Sequence, residues 1–580
     1  MNKFIRVDMT TMKVTTDEVP VKYAGLGGRA LTSNFVADEV KPTCHALGKN
    51  NKIIFAPGLL SGTTAPNSGR ISVGSKSPLT GGIKESNSGG SFSQKMAKLG
   101  IKALVIEGMP EGDKFYIVKM DIKGVTIEEA PTEILGGCGN YKAIEVLSAK
   151  YGEKVGIALA GPAGEYRLPS ANISFKDPEG HIRSAGRGGL GAVMGSKKIK
   201  ALVIDETGAG AVPIADPEKF KEAAKVFSKA LLDHPVSGQG LAAYGTDVLV
   251  NILNEAGGLP AKNFTTGRID WNDNISGETM NATIKERGGE GKVSHGCHQG
   301  CVMRCSQWYA DKNGKYITSG FEYETIWGLG ADACIKDLDA IAYIDREMDE
   351  IGIDSIETAV AIATAMEGGL LPWGDGEAVL AAVKEIAVPT PLGRLLGSGT
   401  GAVGKACGLF RVPVVKNQAI PAYDPRNVKG IGLTYATTPM GADHTAGYCI
   451  ANNILSIGGF IDPLKKEGQV DISRFLQIGT ASIDSTGMCL FIWFGIADNP
   501  PAIQALVDMI NAQYGLSLTI QDAVVDLGKA VLKAERGFNK AAGFTNEHDR
   551  LPEFFEYEPC APHNLVWDFT PEEIDEVYNF

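Results

Sequence analysis

No window of the 580-residue sequence reaches the roughly 18 consecutive apolar residues that a membrane-spanning helix needs. The opening residues, Met1-Asn-Lys-Phe-Ile-Arg-Val-Asp8, contain neither an apolar signal core nor a twin-arginine pair, so the sequence predicts a cytoplasmic protein. Basic clusters are missing too: Lys and Arg are dispersed through a chain of net charge −12, which argues against a nucleic-acid surface. Ten cysteines are too few for a disulfide framework at this length. A reducing compartment instead suits thiolates kept for metal. There is no low-complexity tail, and a chain this long exceeds one core, so about three domains are expected.

Against that scarcity, three cysteines crowd together in Ser294-His-Gly-Cys297-His-Gln-Gly-Cys301-Val-Met-Arg-Cys305. Inert thiols pack as small hydrophobes and have no reason to repeat at a fixed interval, so the run points to a metal. Two metals are open. Zinc would be closed tetrahedrally by a fourth ligand close by, for which His295 or His298 would serve. An iron–sulfur cubane takes one cysteine per iron and often recruits a distant one. Cys489, in Asp484-Ser-Thr-Gly-Met-Cys489-Leu, is placed for that role. Cys44, Cys138, Cys334, Cys407, Cys449 and Cys560 are assigned mostly to packing.

The pattern along the chain predicts an α+β protein. Residues 1–208 read as a β-rich domain of strands and turns, with short runs such as Phe4-Ile-Arg-Val-Asp8 and Lys52-Ile-Ile-Phe55 bounded by Gly, Pro, Asn and Thr. Within it Ile101-Lys-Ala-Leu-Val-Ile-Glu107 returns as Ile199-Lys-Ala-Leu-Val-Ile-Asp205, each copy after a glycine-rich basic stretch. Two similar sheets, each presenting a glycine loop, are therefore expected as a base. Residues 209–415 and 416–580 read as two mainly helical domains. Asp216-Pro217 opens one helix, Thr570-Pro571 another, and the helical stretch Asp337–Met366 is parted at Gly352, where Asp354 or Ser355 caps its second half.

Two segments share a pattern, Asp349-Glu-Ile-Gly352-Ile-Asp354 and Asp484-Ser-Thr-Gly487-Met-Cys489. A carboxylate three residues before a glycine can accept hydrogen bonds from ring N–H groups while the glycine admits a flat ligand to the backbone. A pterin offers such donors. The glycine loops Asn87-Ser-Gly-Gly90 and Arg183-Ser-Ala-Gly186-Arg187-Gly-Gly-Leu-Gly191 suit phosphate, through backbone N–H groups and guanidinium, and Arg70 adds a cation. The second is not a P-loop, and since the segment after it reads as a strand it is not a dinucleotide fingerprint.

Ser75-Lys-Ser-Pro-Leu-Thr-Gly81, the two glycine loops, the three-cysteine run, Glu322-Tyr-Glu324-Thr, the two Asp-x-x-Gly segments, Tyr423-Asp-Pro-Arg426 and Gly441-Ala-Asp-His444 fall in one order over residues 1–490. Together they resemble the tungsten-dependent aldehyde:ferredoxin oxidoreductase family. The resemblance implies a mononuclear tungsten, or molybdenum, held by the dithiolenes of two pterins (bis-tungstopterin) beside a 4Fe–4S cluster on Cys297, Cys301, Cys305 and Cys489. Arg70 would lie between cluster and pterin. Asn87, Gly89, Arg183, Ser184, Gly186 and Arg187 would contact the pterin phosphates, with the backbone carbonyls of Asn87 and Ser184 on a bridging magnesium. Asp349, Ile353 and Asp354 would hold one pterin, and Asp484, Met488 and Leu490 the other.

The implied reaction oxidises an aldehyde to the carboxylic acid and sends electrons to ferredoxin or a dedicated iron–sulfur subunit. A homodimer is a possible assembly. Proton acceptors are needed beside the metal. Glu324, if burial raises its pKa, and His444 are the candidates, with Glu322 behind them. The chain departs from the family pattern in three places. The cysteine run has one extra residue in its first gap, Ala446 stands where a basic residue is usual, and no Glu-x-x-His precedes Asp349, so no iron is expected at a subunit interface. Two other readings are the tungsten subunit of a benzoyl-coenzyme A reductase complex and, outside enzymology, a zinc-stabilised binding protein.

Overall fold

The computed structural model describes residues 1–388 and 390–580. Its first third holds two six-stranded sheets of the same order. One runs β2 (Lys13–Glu18), β1 (Lys3–Asp8), β6 (Ile101–Glu107), β3 (Ile53–Pro57), β4 (Ile71–Lys76) and β5 (Ile83–Ser88). The other runs β8 (Gly124–Glu129), β7 (Tyr116–Asp121), β12 (Ile199–Ile204), β9 (Gly156–Ala160), β10 (Ile173–Lys176) and β11 (Ile182–Ala185). The repeated segments are β6 and β12, third in each sheet. Each is parallel to the sheet's first strand in sequence (β1, β7) and antiparallel to its third (β3, β9).

Burial explains why both are apolar almost throughout, as strands covered on two faces must be. Side chains alternate along a strand, so Leu104, Ile106, Leu202 and Ile204 meet in the core between the sheets. Ala103 and Val105 point outward beneath helix Gly28–Glu39, and Ala201 and Val203 beneath helix Asn140–Tyr151. The result is a helix–sheet–sheet–helix sandwich with a pseudo-two-fold relation between halves, in which the edge strands β5 and β11 face each other.

Two local expectations need correction. The strand-and-turn reading overlooked both outer helices because each begins after a glycine, Gly27 or Gly139, with no side-chain cap to announce it. The glycine stretch after Arg187 does not run straight into a strand. Gly188 and Gly189, with φ of +86° and +79°, turn it first into helix Leu190–Ser196.

The remainder is mainly helical. Asp216 caps helix Pro217–Asp233 by accepting the Lys219 N–H, and Asp354 caps helix Ser355–Glu367 by accepting that of Ile356. Helix Leu338–Ile351 stops at Gly352 in the left-handed region, φ +72°, and helix Gln469–Thr486 stops likewise at Gly487, φ +82°. A small sheet of β13 (Lys292–His295), β14 (Ser306–Ala310) and β15 (Tyr316–Ser319) carries the cysteine run in its first connection. Among the described residues no helix is long and apolar enough to cross a membrane.

Candidate functional site

The two Asp-x-x-Gly turns dock on equivalent places of the two half-sandwiches. After β3, Leu59 and Leu60 donate their N–H groups to Ser485 and Thr486, and Arg70 donates its own to Gly487. After β9 and before β10 the matching contacts are Asn172 N–H to Gly352 and Asp354 N–H to Ser170. Glycine makes the approach feasible. A Cβ on Gly58 would lie 2.0 Å from the Gly487 nitrogen, and one on Gly161 2.4 Å from the Ile351 carbonyl oxygen.

Cys489 follows the second turn directly and donates its N–H to Asn67, which in turn holds the cysteine run: the Asn67 side chain accepts the Val302 N–H and sits 3.7 Å from the Cys301 sulfur. All four cysteines line one cavity of about 300 Å³. Arg70 reaches Cys489 Sγ at 3.7 Å and the Asn87 side-chain oxygen at 3.2 Å, while its Nε has no partner. Gly89 lies so close to Cys297 that a Cβ there would meet its sulfur at 3.1 Å. Burial pushes the Cys297 thiol up to about 12 and that of Cys305 well above its ordinary range, with the Arg70 guanidinium opposing the shift at Cys297.

The geometry lends the zinc alternative no support. Four sulfurs on a tetrahedral zinc stand about 3.8 Å apart, yet among the described residues no group of three ligands within 4.8 Å includes a cysteine. His295 turns away from the sulfurs, to Asp177 at 3.3 Å and Glu179 at 3.5 Å. His298 Nδ1 touches only Cys297, at 3.3 Å, and its Nε2 is buried without a partner.

A second cavity, of about 190 Å³, adjoins the first, and Arg70, Gly186, Arg187, His444, Cys489 and Phe491 line both. The first is bordered by Gly89, Arg183, Ser184, Asp349, Ile353 and Asp354, the second by Asn87, Asp484 and Leu490. Met488 is fully buried and borders neither. Burial raises the carboxyls of Asp349 and Asp484, the latter to about 6 with Arg29, 3.2 Å away, opposing. Arg183 pairs with Asp177 at 3.3 Å and bonds Ser306, and Arg187 pairs with Asp354 at 3.3 Å and Glu357 at 3.4 Å.

At the junction His444 Nε2 lies 2.9 Å from Glu324, which also accepts the Tyr423 hydroxyl at 3.2 Å. His444 Nδ1 is buried with no hydrogen-bond partner. Burial would lift the Glu324 carboxyl, but the His444 contact and the Tyr423 bond outweigh it and hold the group below its ordinary value. The condition set for Glu324, that burial raise its pKa, is therefore not met. An upward shift occurs at Glu322, which burial raises although Thr246 donates to it at 2.9 Å. Sequence reasoning also missed Arg29, Asp345 and Tyr448, and it gave Asp443 no role although that residue stands in the Gly441–His444 motif. Tyr423 stood in a noted motif, but its neighbours Asp424 and Arg426 serve structure: they pair at 2.6 Å, Arg426 also donates to the Glu558 and Phe264 carbonyls, and neither borders the two cavities.

The sequence matches the N-terminal domain of aldehyde ferredoxin oxidoreductase over residues 4–206 and domains 2 and 3 over residues 222–579. The chain belongs to the aldehyde ferredoxin oxidoreductase family. As such it is an oxidoreductase. Tungsten-containing aldehyde ferredoxin oxidoreductases of Pyrococcus furiosus and Thermococcus kodakarensis are 37% and 36% identical to it, over 96% of this chain and 91% of theirs. The BamBC active-site complex of benzoyl coenzyme A reductase, solved with 1,5-dienoyl-CoA, shares the aldehyde ferredoxin oxidoreductase fold with a TM-score of 0.81. That match covers 99% of this chain and 93% of the other at 19% identity.

Proposed function

We propose that this protein is a cytoplasmic tungsten-pterin enzyme that oxidises an aldehyde to its carboxylic acid and passes the electrons through a 4Fe–4S cluster to ferredoxin or a dedicated iron–sulfur subunit. One observation carries the reading. Sulfurs from residues 297–305 and from residue 489 converge on a cavity that the His444–Glu324 pair also lines.

The residues present fit the implied groups. Cys297, Cys301, Cys305 and Cys489 would ligate the cluster, and the unsatisfied Arg70 Nε, beside Cys489 and Asn87, suits a cation between cluster and pterin. Asp349, Ile353 and Asp354 would hold one pterin, and Asp484 and Leu490 the other, with Met488 packed beneath. Gly89, Gly186, Arg183 and Arg187 would meet the phosphates. Asn87 on β5 and Ser184 on β11 lie on facing edges, where their carbonyls would take magnesium. In this scheme residues 1–208 are the base, and the parts 209–415 and 416–580 each contribute one turn.

When bound, the tungsten-pterin group supplies the two-electron redox step. What the chain supplies is proton management, since an aldehyde and water yield a carboxylic acid, two protons and two electrons. In the neutral tautomer that donates Nε2–H to Glu324, His444 presents the lone pair of Nδ1 to the junction. A proton accepted at Nδ1 makes an imidazolium that Glu324 stabilises, the arrangement of a base oriented by a carboxylate. Glu322, whose carboxyl is raised, is available to hold a proton behind the pair.

Elemental analysis of anaerobically purified protein, followed by aldehyde-dependent viologen reduction, tests this directly. Tungsten or molybdenum with iron and dye reduction is expected. Zinc alone, or turnover that requires a coenzyme A thioester, would end the proposal.

A further inference from the structure

Behind one side of the catalytic junction four aromatic rings pack together, and of these Phe491 is the one that borders the cavities. The Tyr423 and Tyr448 centroids lie 5.8 and 6.0 Å from that of His444. Phe491 stands 6.3 Å from Tyr448, and Phe494 stacks on Phe491 at 5.5 Å with planes 13° apart. Tyr423, Tyr448 and Phe494 are buried, whereas Phe491 is half-buried and borders both cavities where they meet. Phe494 thus braces the ring that borders the space next to His444.

The polar ends of these rings are already in use. Tyr423 and Tyr448 bond each other through their hydroxyls at 2.8 Å, and Tyr423 bonds Glu324. Ile356 and Leu490 add further apolar surface. Packed against the Phe491 face, a hydroxylated or charged substituent would give up water without gaining a partner from the ring. An aromatic one gains a stacked or edge-on neighbour, the geometry that aromatic pairs prefer.

We infer that this site selects aryl aldehydes, with Phe491 as the platform on which the substrate ring packs. The inference rests on the aldehyde-oxidation reading. Its rival is a pocket that rewards apolar bulk of any kind, so the decisive comparison is between a benzene and a cyclohexane ring of similar size. On anaerobic holoenzyme, kcat/KM is measured for benzaldehyde, cyclohexanecarboxaldehyde and acetaldehyde. Independently of turnover, calorimetry gives the Kd values of benzoate and cyclohexanecarboxylate.

Benzaldehyde should exceed cyclohexanecarboxaldehyde about tenfold, the upper range for one aromatic pair, and acetaldehyde by more. Benzoate should bind more tightly than its saturated analogue by a similar factor. Phe491→Leu should collapse both aryl-to-cyclohexyl ratios, and Phe491→Trp should restore them. Equal ratios in the wild type, or ratios that Phe491→Leu does not move, overturn the inference. Failure of every aldehyde in tungsten-loaded protein would instead remove the reaction assigned above, and the carboxylate affinities would still report on the Phe491 face.

Discussion

Asp443 is half-buried yet ionised, because Lys84 lies 3.3 Å from it and Thr445 donates both its N–H and its hydroxyl. Burial opposes the charge, but Lys84, Arg187, His444 and Thr445 together hold the carboxyl far below its ordinary value. A folded-state pKa below the unfolded one adds stability that is complete above about pH 4 and is lost as pH falls through the folded value. Asp443→Asn should therefore cost about 3–5 kcal/mol at pH 7, as expected for a broken buried pair. Its gap to the wild type should narrow at pH 3, read from denaturant midpoints. On the proposed roles, Glu324→Gln should lower kcat by about 10²- to 10⁴-fold with little change in KM, because it would remove the charge that orients and stabilises His444. Stopped-flow reduction of the cluster by aldehyde measures it.

At this scale the sequence was partly legible. Glu324 and His444 stand in short motifs, but the sign of the Glu324 shift depends on a partner 120 positions away. Arg29 could not be singled out, because its partners, Asp484 and Glu535, come from far along the chain.

Between residue and molecule, the unit that matters is the turn docked on its half-sandwich. Gly58→Ala and Gly161→Ala each force a Cβ into backbone, 2.0 Å and 2.4 Å from the nearest atom. Neither backbone can yield without moving its Asp-x-x-Gly turn. Each variant should lose stability by about 1–3 kcal/mol or more and, on the proposed assignment, one of the two pterins. Pterin assay and thermal midpoint check this, and full pterin content in both variants would refute the docking role. The repeat in β6 and β12 was visible as sequence because both strands are covered on two faces and must stay apolar. Their position third in each sheet was not, since strand order depends on pairings between distant segments. The two outer helices escaped notice for want of a cap.

For the molecule as a whole, metal ligation would act as a long-range staple. The proposed cluster would join the cysteine hairpin to a turn nearly two hundred residues later, and both contact the first half-sandwich through Asn67, Arg70 and Gly89. Cys489→Ser should abolish the iron–sulfur spectrum and lower the unfolding midpoint, whereas Cys407→Ser, a half-buried free thiol, should do neither. Anaerobic spectra and calorimetry of the two variants decide it.

The likeness of the halves also shows where they part. Arg70 stands just before β4 and Asn172 just before β10, while Cys489 closes one turn where Asp354 closes the other. An arginine–cysteine couple, 3.7 Å apart, thus occupies the place that an asparagine and an aspartate fill on the opposite flank. On the proposed assignment the two flanks would hold one pterin each but only one would touch the cluster, so charge leaving the centre would be given a direction by this one difference between the halves.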